Sequence, residues 1–303
     1  MPDFDLLVLG DLNPDLVLRG AAVEPAFGQV ERLVDDADLV IGGSGAIMAC
    51  GAARLGLRTA IAGVVGDDPF GRFMLDALAE RDVDTSGVVV DPAQRTGLTV
   101  VLSKREGDRA MLTFQGAISA LTASAVDPQR ARHVHVASLY LQTALAPGLP
   151  DVFRDARAAG ATTSIDPNWD PTERWDGGLR DLLPLTDLFL PNAEEATRIA
   201  GEADPAQAAR GLAADGPLVA VKLGPEGALG AHGDELLHVA APAGVEAVDS
   251  TGAGDSFDAG VVAGLLQGWP PERMLALGCA CGALSTRGVG GTSAQPTLQE
   301  ALP

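Results

Sequence analysis

The chain has 303 residues, of which 47% are hydrophobic, so it can bury a sizeable core and is not globally disordered. It carries 21 lysines and arginines against 41 aspartates and glutamates, a formal net charge of −20. So acidic a surface repels the phosphate backbone of nucleic acids, and we expect no nucleic-acid partner. An anionic ligand would have to be held locally, by backbone amides or by a metal ion.

The cysteine content and the apolar runs indicate the compartment. Cys50, Cys279 and Cys281 are too few for a disulfide framework in a chain of this length, so we expect buried small side chains. The first residues lack a basic segment followed by an apolar run, and no uncharged apolar run reaches the ~18–20 residues that span a bilayer. These features favour a reduced, cytoplasmic protein with no membrane partner.

Apolar runs alternate with helical stretches along most of the chain. Buried strands are predicted at residues 6–9, 59–65, 134–137, 162–165, 188–190 and 218–223. Helices are predicted at residues 46–55, 151–159 and 193–200. Strands that alternate with helices of this length indicate βαβ units, and therefore an α/β fold with a mainly parallel sheet.

Two segments interrupt this rhythm. Residues 16–18 and 97–114 have the composition of extended strands. Residues 105–108 are typical of a hairpin turn between strands at 99–103 and 110–114. The small antiparallel sheet that would result is either an ordinary edge hairpin or a lid over a site at the carboxyl ends of the strands, where open α/β sheets bind ligands.

The most informative segment is Asp249-Ser-Thr-Gly-Ala-Gly-Asp255, which opens an amphipathic helix whose apolar residues recur every four positions. A helix N-terminus exposes unpaired amides and the positive end of the helix dipole. Glycines let that backbone close around an anion, because no Cβ stands in the way. The amides of Gly252, Ala253 and Gly254 are therefore placed to stabilise a transferring phosphoryl group.

Asp255 needs its own explanation, because a carboxylate beside an anion site repels phosphate. As a catalytic residue, it would accept the proton of an attacking hydroxyl and orient that hydroxyl in line with the γ-phosphate. Alternatively, it only favours the helix N-terminus, as acidic residues do. The turn alone does not separate these two interpretations.

Two further motifs lie in the first fifth of the chain. Residues 10–15 follow the first strand, and Asn13 and Asp15 there either hydrogen-bond sugar hydroxyls or form an Asx-Pro turn. Gly42 and Gly43 open the sequence Gly-Gly-Ser-Gly-Ala, where missing side chains let a ligand approach the backbone. A dinucleotide-binding fold would place such glycines directly after the first strand, so that interpretation fails.

These motifs, taken in order, resemble those of the ribokinase-like (PfkB) carbohydrate kinases. The C-terminal signature of that family reads Asp-Thr-x-Gly-Ala-Gly-Asp-x-Phe, from which only Ser250 departs. The resemblance implies a ribokinase-like three-layer sandwich, with a mainly parallel central sheet and a small antiparallel lid. It implies a single kinase domain over residues 1–303, with lid segments at about 14–40 and 95–115. The implied activity is transfer of the γ-phosphate of ATP to a sugar hydroxyl.

The resemblance also assigns roles to individual residues. Asp255 would be the catalytic base. The anion hole would be formed by Gly252, Ala253 and Gly254. The acceptor sugar would be bound by residues of the two N-terminal motifs together with the base, namely Asn13, Asp15, Gly42, Gly43 and Asp255.

Nucleotide and ion sites follow from the same resemblance. ATP would be bound by residues in three motifs, namely Asn192, Lys222, Gly224, Gly227 and Gly254. Asn192 and Glu195 have the spacing of a helix capping box, and in the family Glu195 would also organise Mg²⁺, held through water because that ion dehydrates reluctantly. Asp249 and Thr251 would lie at a monovalent-cation site for an ion such as K⁺.

Three positions depart from the family pattern. Ile47 stands where an asparagine usually contacts the sugar, and Asp258 replaces a common asparagine. Asp170 stands where fructokinase-like and ketodeoxygluconate-kinase-like members carry arginine, which weakens the case for an anionic sugar acid. The acceptor is therefore a small-molecule sugar or, if Ile47 packs on a base, a nucleoside. A catalytically idle sugar-binding protein is the third alternative, and the lid would offer a homodimer surface.

Overall fold

The structure is a computed structural model, and it describes residues 2–104, 108–233 and 235–302. The described residues form two β-sheets, one of nine strands and one of four. In chain order the strands are β1 (Phe4–Leu9), β2 (Asn13–Arg19), β3 (Asp36–Gly42), β4 (Thr59–Gly66), β5 (Val83–Asp91), β6 (Leu98–Ser103), β7 (Arg109–Phe114), β8 (Ala131–Val136), β9 (Thr162–Ile165), β10 (Leu188–Phe189), β11 (Leu218–Lys222), β12 (Ala228–His232) and β13 (Glu235–Val239).

The α-helices of the described ranges include three that were predicted at closely similar bounds. In chain order the helices are α1 (Ser44–Arg54), α2 (Pro69–Ala79), α3 (Leu149–Ala158), α4 (Leu179–Leu182), α5 (Ala193–Ala200), α6 (Pro205–Ala213), α7 (Ala253–Leu266), α8 (Pro271–Ser285) and α9 (Leu298–Ala301). None of the helices in these ranges is both long and apolar enough to cross a bilayer.

The larger sheet has the strand order β13-β12-β11-β10-β9-β8-β1-β4-β5. The strands from β11 through to β5 are parallel to their neighbours, whereas β12 and β13 are antiparallel additions at one edge. Side chains of a strand alternate between the two faces of its sheet. Leu6 and Val8 of β1 accordingly pack into a core with α1, α2, α7 and α8, while Leu7 and Leu9 pack into a core with α3, α4, α5 and α6. The predicted three-layer α/β sandwich is confirmed.

The second sheet, called the small sheet from here on, has the strand order β3-β2-β6-β7. Its outer pairs, β2–β3 and β6–β7, are antiparallel as predicted, whereas the central pair β2–β6 is parallel. The turn predicted at residues 105–108 lies largely outside the described residues. The small sheet is inserted into the larger one in two pieces, with β2 and β3 between β1 and β4, and β6 and β7 between β5 and β8.

The topology brings polar residues from several motifs to one edge of the larger sheet. Parallel strands end at the same edge, so the residues that follow them come together there. Asp11 follows β1, Asp166 follows β9, and Asn192 follows β10. Two helices also begin at this edge, α1 after the glycines of β3 and α7 after the glycine-rich turn.

Candidate active site

A cavity of about 360 Å³ lies between the small sheet and the edge where the parallel strands end. We call it the acceptor cavity. Its lining includes Asn13, Asp15, Gly43 and Asp255, which the sequence predicted to lie together. Carboxylates, two side-chain amides and the hydroxyls of serines and threonines make up most of its polar groups, a set that both accepts and donates hydrogen bonds as a polyhydroxylated ligand requires.

Asp255 lies in the first turn of α7, whose N-cap is Gly252 with a left-handed φ of 71°. The Oγ of Ser44, at the start of α1, donates a short hydrogen bond to Asp255 Oδ1. Burial and the nearby Asp166 carboxylate raise the pKa of Asp255 to about 7, although the Ser44 hydrogen bond opposes them. A carboxylate with a pKa near the working pH is suited to general-base catalysis.

The predicted sugar-binding residues form a connected polar group on β2 and β6. Asn13 Nδ2 donates to Asp15 Oδ1 and to Thr99 Oγ1, both at 3.3 Å. Burial raises the pKa of Asp15 to about 7. Gly43 lines the cavity, whereas Gly42 lies behind Asp15, and a Cβ on Gly42 would stand 2.0 Å from Asp15 Oδ1. Gly42 therefore leaves room for the Asp15 carboxylate.

Asp11 fixes the relation between β1 and α1. Its carboxylate accepts the amides of Ser44 at 3.0 Å and Gly45 at 2.9 Å, in the first turn of that helix. Acidic groups are favoured at this end of a helix because of the helix dipole. The contact places the Ser44 hydroxyl where it can reach Asp255.

Ile47 and Asp170, two of the residues that depart from the family pattern, differ in whether they line the acceptor cavity. Ile47 lines the acceptor cavity and packs against the turn that carries Gly252. Asp170 is buried and serves its own loop, because its carboxylate accepts the amides of Thr172, Arg174 and Trp175 at 2.7–2.9 Å.

The loop that Asp170 organises carries an aromatic side chain to the acceptor cavity. Trp169 lines that cavity and meets Trp175 edge-to-face, with the two ring centroids 5.0 Å apart. Trp175 in turn packs edge-to-face on Tyr140 at 5.8 Å. The aspartate at position 170 thus acts on the cavity through the placement of Trp169.

A second cavity, of about 340 Å³, lies on the other side of the glycine-rich turn. We call it the nucleotide cavity, because it contains the predicted nucleotide-binding residues Lys222, Gly224, Gly227 and Gly254. Most of its remaining lining is apolar, which suits the flat faces of a base. Gly252 borders the acceptor cavity and Gly254 the nucleotide cavity, so the turn separates the two.

Asn192 and Glu195 form the predicted capping box at the start of α5. The Asn192 amide donates to Glu195 Oε2 at 2.8 Å, and the Glu195 amide donates to Asn192 Oδ1 at 2.9 Å. The Asn192 side chain also donates to Glu195 Oε1 at 2.6 Å. Burial raises the pKa of Glu195 to about 7. Both carboxylate oxygens already have partners, which favours contact with an ion through water over direct ligation.

Lys222 joins the two carboxylates of Asp166 and Asp258 beside Asp255. Its Nζ lies 2.9 Å from Asp166 Oδ2 and 3.2 Å from Asp258 Oδ2. Burial disfavours ionisation of Asp166, but the Lys222 ammonium and the hydrogen bonds from Asp258 and Lys222 together hold the pKa of Asp166 below its usual range. Burial raises the pKa of Asp258 well above its usual range, so the pKa values of the two acids shift in opposite directions.

The predicted cation-site residues lie in the turn before α7. Asp249 accepts the Thr251 amide at 2.9 Å, the Thr251 hydroxyl at 2.7 Å and the Gly290 amide at 2.9 Å. Arg109 of β7 donates from Nη1 to Thr251 Oγ1 at 2.6 Å and lies 3.4 Å from Asp249 Oδ1. This contact joins the small sheet to the glycine-rich turn.

Residues 3–298 match the family model described as pfkB family carbohydrate kinase. The chain belongs to this family. It is 32% identical over 276 residues to the 2-dehydro-3-deoxygluconokinase of Bacillus subtilis (strain 168), covering 86% of this chain and 85% of that protein. It is 36% identical over 275 residues to a fructokinase of Klebsiella pneumoniae, covering 84% and 88% respectively. The protein is therefore a phosphotransferase that acts on a sugar hydroxyl.

Solved structures of PfkB family proteins share the fold. A candidate ribokinase II from E. coli, crystallised with ATP and Mg²⁺, superposes with a TM-score of 0.85 at 28% identity, covering 98% of this chain and 97% of that one. A PfkB protein from Polaromonas sp. JS666 superposes with a TM-score of 0.82 at 29% identity, covering 98% of each chain.

Several residues of this PfkB family site were not assigned a role from the sequence. Ser44 of α1 donates to Asp255 of α7, and Asp11, which follows β1, accepts the amide of Gly45 in α1. Arg109 of the small sheet donates to Thr251 in the turn before α7. Asp166 could have been found, because a carboxylate directly after a buried parallel strand falls at the ligand-binding edge. Nothing in the sequence around Arg109 indicates where its side chain goes.

Proposed function

We propose that this PfkB family kinase transfers the γ-phosphate of ATP to a hydroxyl of a sugar, with Asp255 as the catalytic base. The observation that carries the proposal is the position of the turn from Gly252 to Asp255. The acceptor cavity reaches Asp255 and Gly252, and the nucleotide cavity reaches Gly254. A hydroxyl and a phosphate bound in these cavities would meet at the amides of the turn.

Each residue then has a definite task in the transfer. Asp255 accepts the proton of the attacking hydroxyl, while Asn13 and Asp15 orient the rest of the sugar. The amides of Gly252, Ala253 and Gly254, together with Lys222, stabilise the charge on the transferring group. Lys222 is suited to this because its ammonium is held beside Gly254, about 3.5 Å from where a Cβ on that residue would stand.

The phosphates and the accompanying ions require further groups. Asn192 and Glu195 would hold Mg²⁺ through water, and that ion neutralises phosphate charge when it is bound. Asp249 and the backbone around Thr251 supply the oxygen ligands that K⁺ requires, and we propose that a monovalent cation binds there. Closure of the small sheet as a lid, over the single domain formed by the rest of the chain, would exclude water that would otherwise hydrolyse ATP.

The small sheet also offers a surface for a homodimer. Its register places Leu16, Leu39, Val100 and Leu112 in one row on the face turned away from the acceptor cavity. Phe114 is on the same face, half exposed. An apolar face of this kind is typical of protein interfaces, so we propose that two copies pair through it. The buried free thiols of the chain suit a reducing compartment such as the cytoplasm.

Asp255→Asn tests the assignment of the base. We expect the turnover number to fall by about a hundred- to ten-thousandfold, because the amide cannot accept the hydroxyl proton. Affinity for ATP, measured by titration without acceptor, should stay close to that of the wild type and also serves as the control for correct folding. Turnover within a few-fold of the wild type would rule out Asp255 as the base.

The class of acceptor is tested by detection of ADP release across a panel of sugars and nucleosides. Ile47 and Trp169 both line the acceptor cavity and would pack on a base, so a nucleoside is the second candidate acceptor. ADP release with a sugar such as fructose supports the sugar kinase, and release only with nucleosides favours the second candidate. Sugar binding without ADP release for any member would indicate a catalytically idle binding protein. Repeating the panel with and without K⁺ tests the cation site.

A further inference from the structure

Arg109 connects two parts of the molecule that are far apart in the chain. It lies on β7 of the small sheet, opposite Ser103 of β6, and its side chain is one-third exposed. From there it donates to Thr251, 142 residues further on, and approaches Asp249. Arg109 lines the acceptor cavity, and the residues described around the nucleotide cavity do not include it.

The residues that Arg109 contacts set the path of the backbone into the glycine-rich turn. Asp249 accepts the Thr251 amide and the Gly290 amide, and so fixes the turn on both sides. Thr251 immediately precedes Gly252, the N-cap of α7. A shift of Thr251 would therefore move the amides of Gly252 to Gly254, which the proposed function places against the transferring phosphoryl group.

The same small sheet carries groups that face the acceptor. In its register Asp15 of β2, Thr99 of β6 and Thr113 of β7 form one row in the acceptor cavity, and Arg109 lies four residues before Thr113 on β7. An acceptor bound to that row would hold the sheet, and through it the Arg109 guanidinium, in place. Amides that stabilise a transition state must be in position before the charge develops, because a small displacement of the amides removes much of the stabilisation they give.

We propose that Arg109 is a positioning residue that ties the small sheet to the turn before α7, so that the anion hole reaches its working geometry only when the sheet lies over a bound acceptor. This inference rests on the proposed function. It assigns Arg109 no contact with the reacting atoms. Its effect passes through Thr251 and Asp249, and it couples occupancy of the acceptor cavity to phosphoryl transfer.

The test compares Arg109→Ala with Arg19→Ala, a matched control on the same sheet. Arg19 of β2 pairs with Asp36 and Asp38 within the small sheet, so its loss removes ion pairs of the sheet while the contact between Arg109 and Thr251 remains. Arg109→Ala should lower the turnover number with acceptor by roughly ten- to a hundredfold, the effect of losing a charged hydrogen bond. ATP affinity without acceptor should stay within about twofold of the wild type, since Arg109 is not among the residues that line the described nucleotide cavity. Arg109→Lys, which keeps the charge without the planar fork, should recover part of the loss.

A double-mutant cycle with Thr251→Val shows whether Arg109 acts through Thr251. We expect the second substitution to add little once the first is present, because both break the same connection. If the losses of turnover in the two single mutants add up in the double mutant, Arg109 acts on a ligand directly. If Arg19→Ala loses as much turnover as Arg109→Ala, Arg109 only supports the sheet. Either result overturns the inference, as does normal turnover in Arg109→Ala. Absence of ADP release by the wild type would instead overturn the proposed function, and this inference with it.

Discussion

The hydroxyl of Ser44 lowers the pKa of Asp255 through a single hydrogen bond, against the larger effect of burial. A donor to a carboxylate stabilises its charged form and lowers its pKa, and here it opposes burial and the Asp166 charge. Because Asp255 must be deprotonated to act as the proposed base, we expect kcat/KM to fall as the pH drops through about 7. Ser44→Ala removes the donor, so this decline should move to higher pH.

The measurement is the pH dependence of kcat/KM for the acceptor in both proteins. Ser124→Ala, at an exposed serine outside both cavities, is the control and should keep the wild-type profile. An unchanged or downward-shifted profile in Ser44→Ala would contradict the role given to Ser44.

Asp258 illustrates a residue whose burial affects the stability of the fold. Its folded-state pKa is well above the ordinary 3.8, so the folded chain binds a proton there that the unfolded chain releases as the pH rises above about 4. That difference lowers the stability of the wild type as the pH increases toward the folded-state value. Asp258→Asn keeps the shape without the titration, so its stability relative to the wild type should rise from pH 4 to pH 8.

Denaturant unfolding at several pH values gives this comparison. Asp151→Asn, at an exposed carboxylate on α3, is the matched control for an aspartate-to-asparagine change elsewhere on the chain. A relative stability of Asp258→Asn that falls with rising pH would show that Lys222 keeps Asp258 charged in the folded protein.

For individual residues, the sequence predicted a place in the site for those that belong to a recognisable motif. Asn13, Asp15, Lys222 and the glycine-rich turn occupy the two cavities because each motif carries its own local geometry to the sheet edge. Ser44 and Arg109 could not be predicted, since their partners belong to elements remote in the chain. Gly42 was predicted to meet the sugar, and the structure adds that it makes room for the Asp15 carboxylate, a feature that depends on the register of β2 and β3.

The loop of residues 170–175 shows how an element can act on the site through packing. Asp170 accepts three amides of this loop and the Thr172 hydroxyl, and the loop supports Trp169 in the acceptor cavity. We expect Asp170→Ala to raise the KM for the acceptor by roughly ten- to a hundredfold, because Trp169 loses its fixed position. The ATP affinity should be unchanged, since this loop is not part of the described nucleotide cavity.

Steady-state kinetics and tryptophan fluorescence together test this expectation. Asp176→Ala, which removes a single exposed loop contact with the amide of Gly178, is a suitable control. A loss of ATP affinity equal to the loss of acceptor affinity would show that Asp170 supports the fold in general.

The elements themselves were largely predictable, because hydrophobic runs and helical periodicity are local properties. The helix predicted at residues 193–200 has those bounds, and the strand at Thr162–Ile165 also agrees. The pairing of β2 with β6 is parallel, and no local pattern indicates it, because residues 13 and 99 are 86 positions apart. Register over such a separation is decided by the packing of the whole sheet.

Association of two copies belongs to the scale of the whole molecule. If the outer face of the small sheet pairs with its copy, a charge in its centre should separate the copies, because a buried unpaired charge is costly. Leu112, which is 62% exposed, lies in that face. Leu112→Glu should therefore convert a dimer to a monomer in light scattering after size-exclusion chromatography. Val90→Glu, at an exposed position on β5, should leave the mass unchanged, and a wild-type monomer would refute the dimer.

The parallel pairing of β2 with β6 also governs the order in which a newly made chain completes its structure. Domains form as the chain emerges from the ribosome, N-terminal part first, and pairings between distant segments wait until both are present. Strands β2 and β3 are therefore synthesised before β6, the strand that covers the free edge of β2. During that interval an open strand edge beside Leu16 and Leu39 is available to other chains. The acceptor cavity is consequently completed late, and aggregation during synthesis is most to be expected from the first hundred residues.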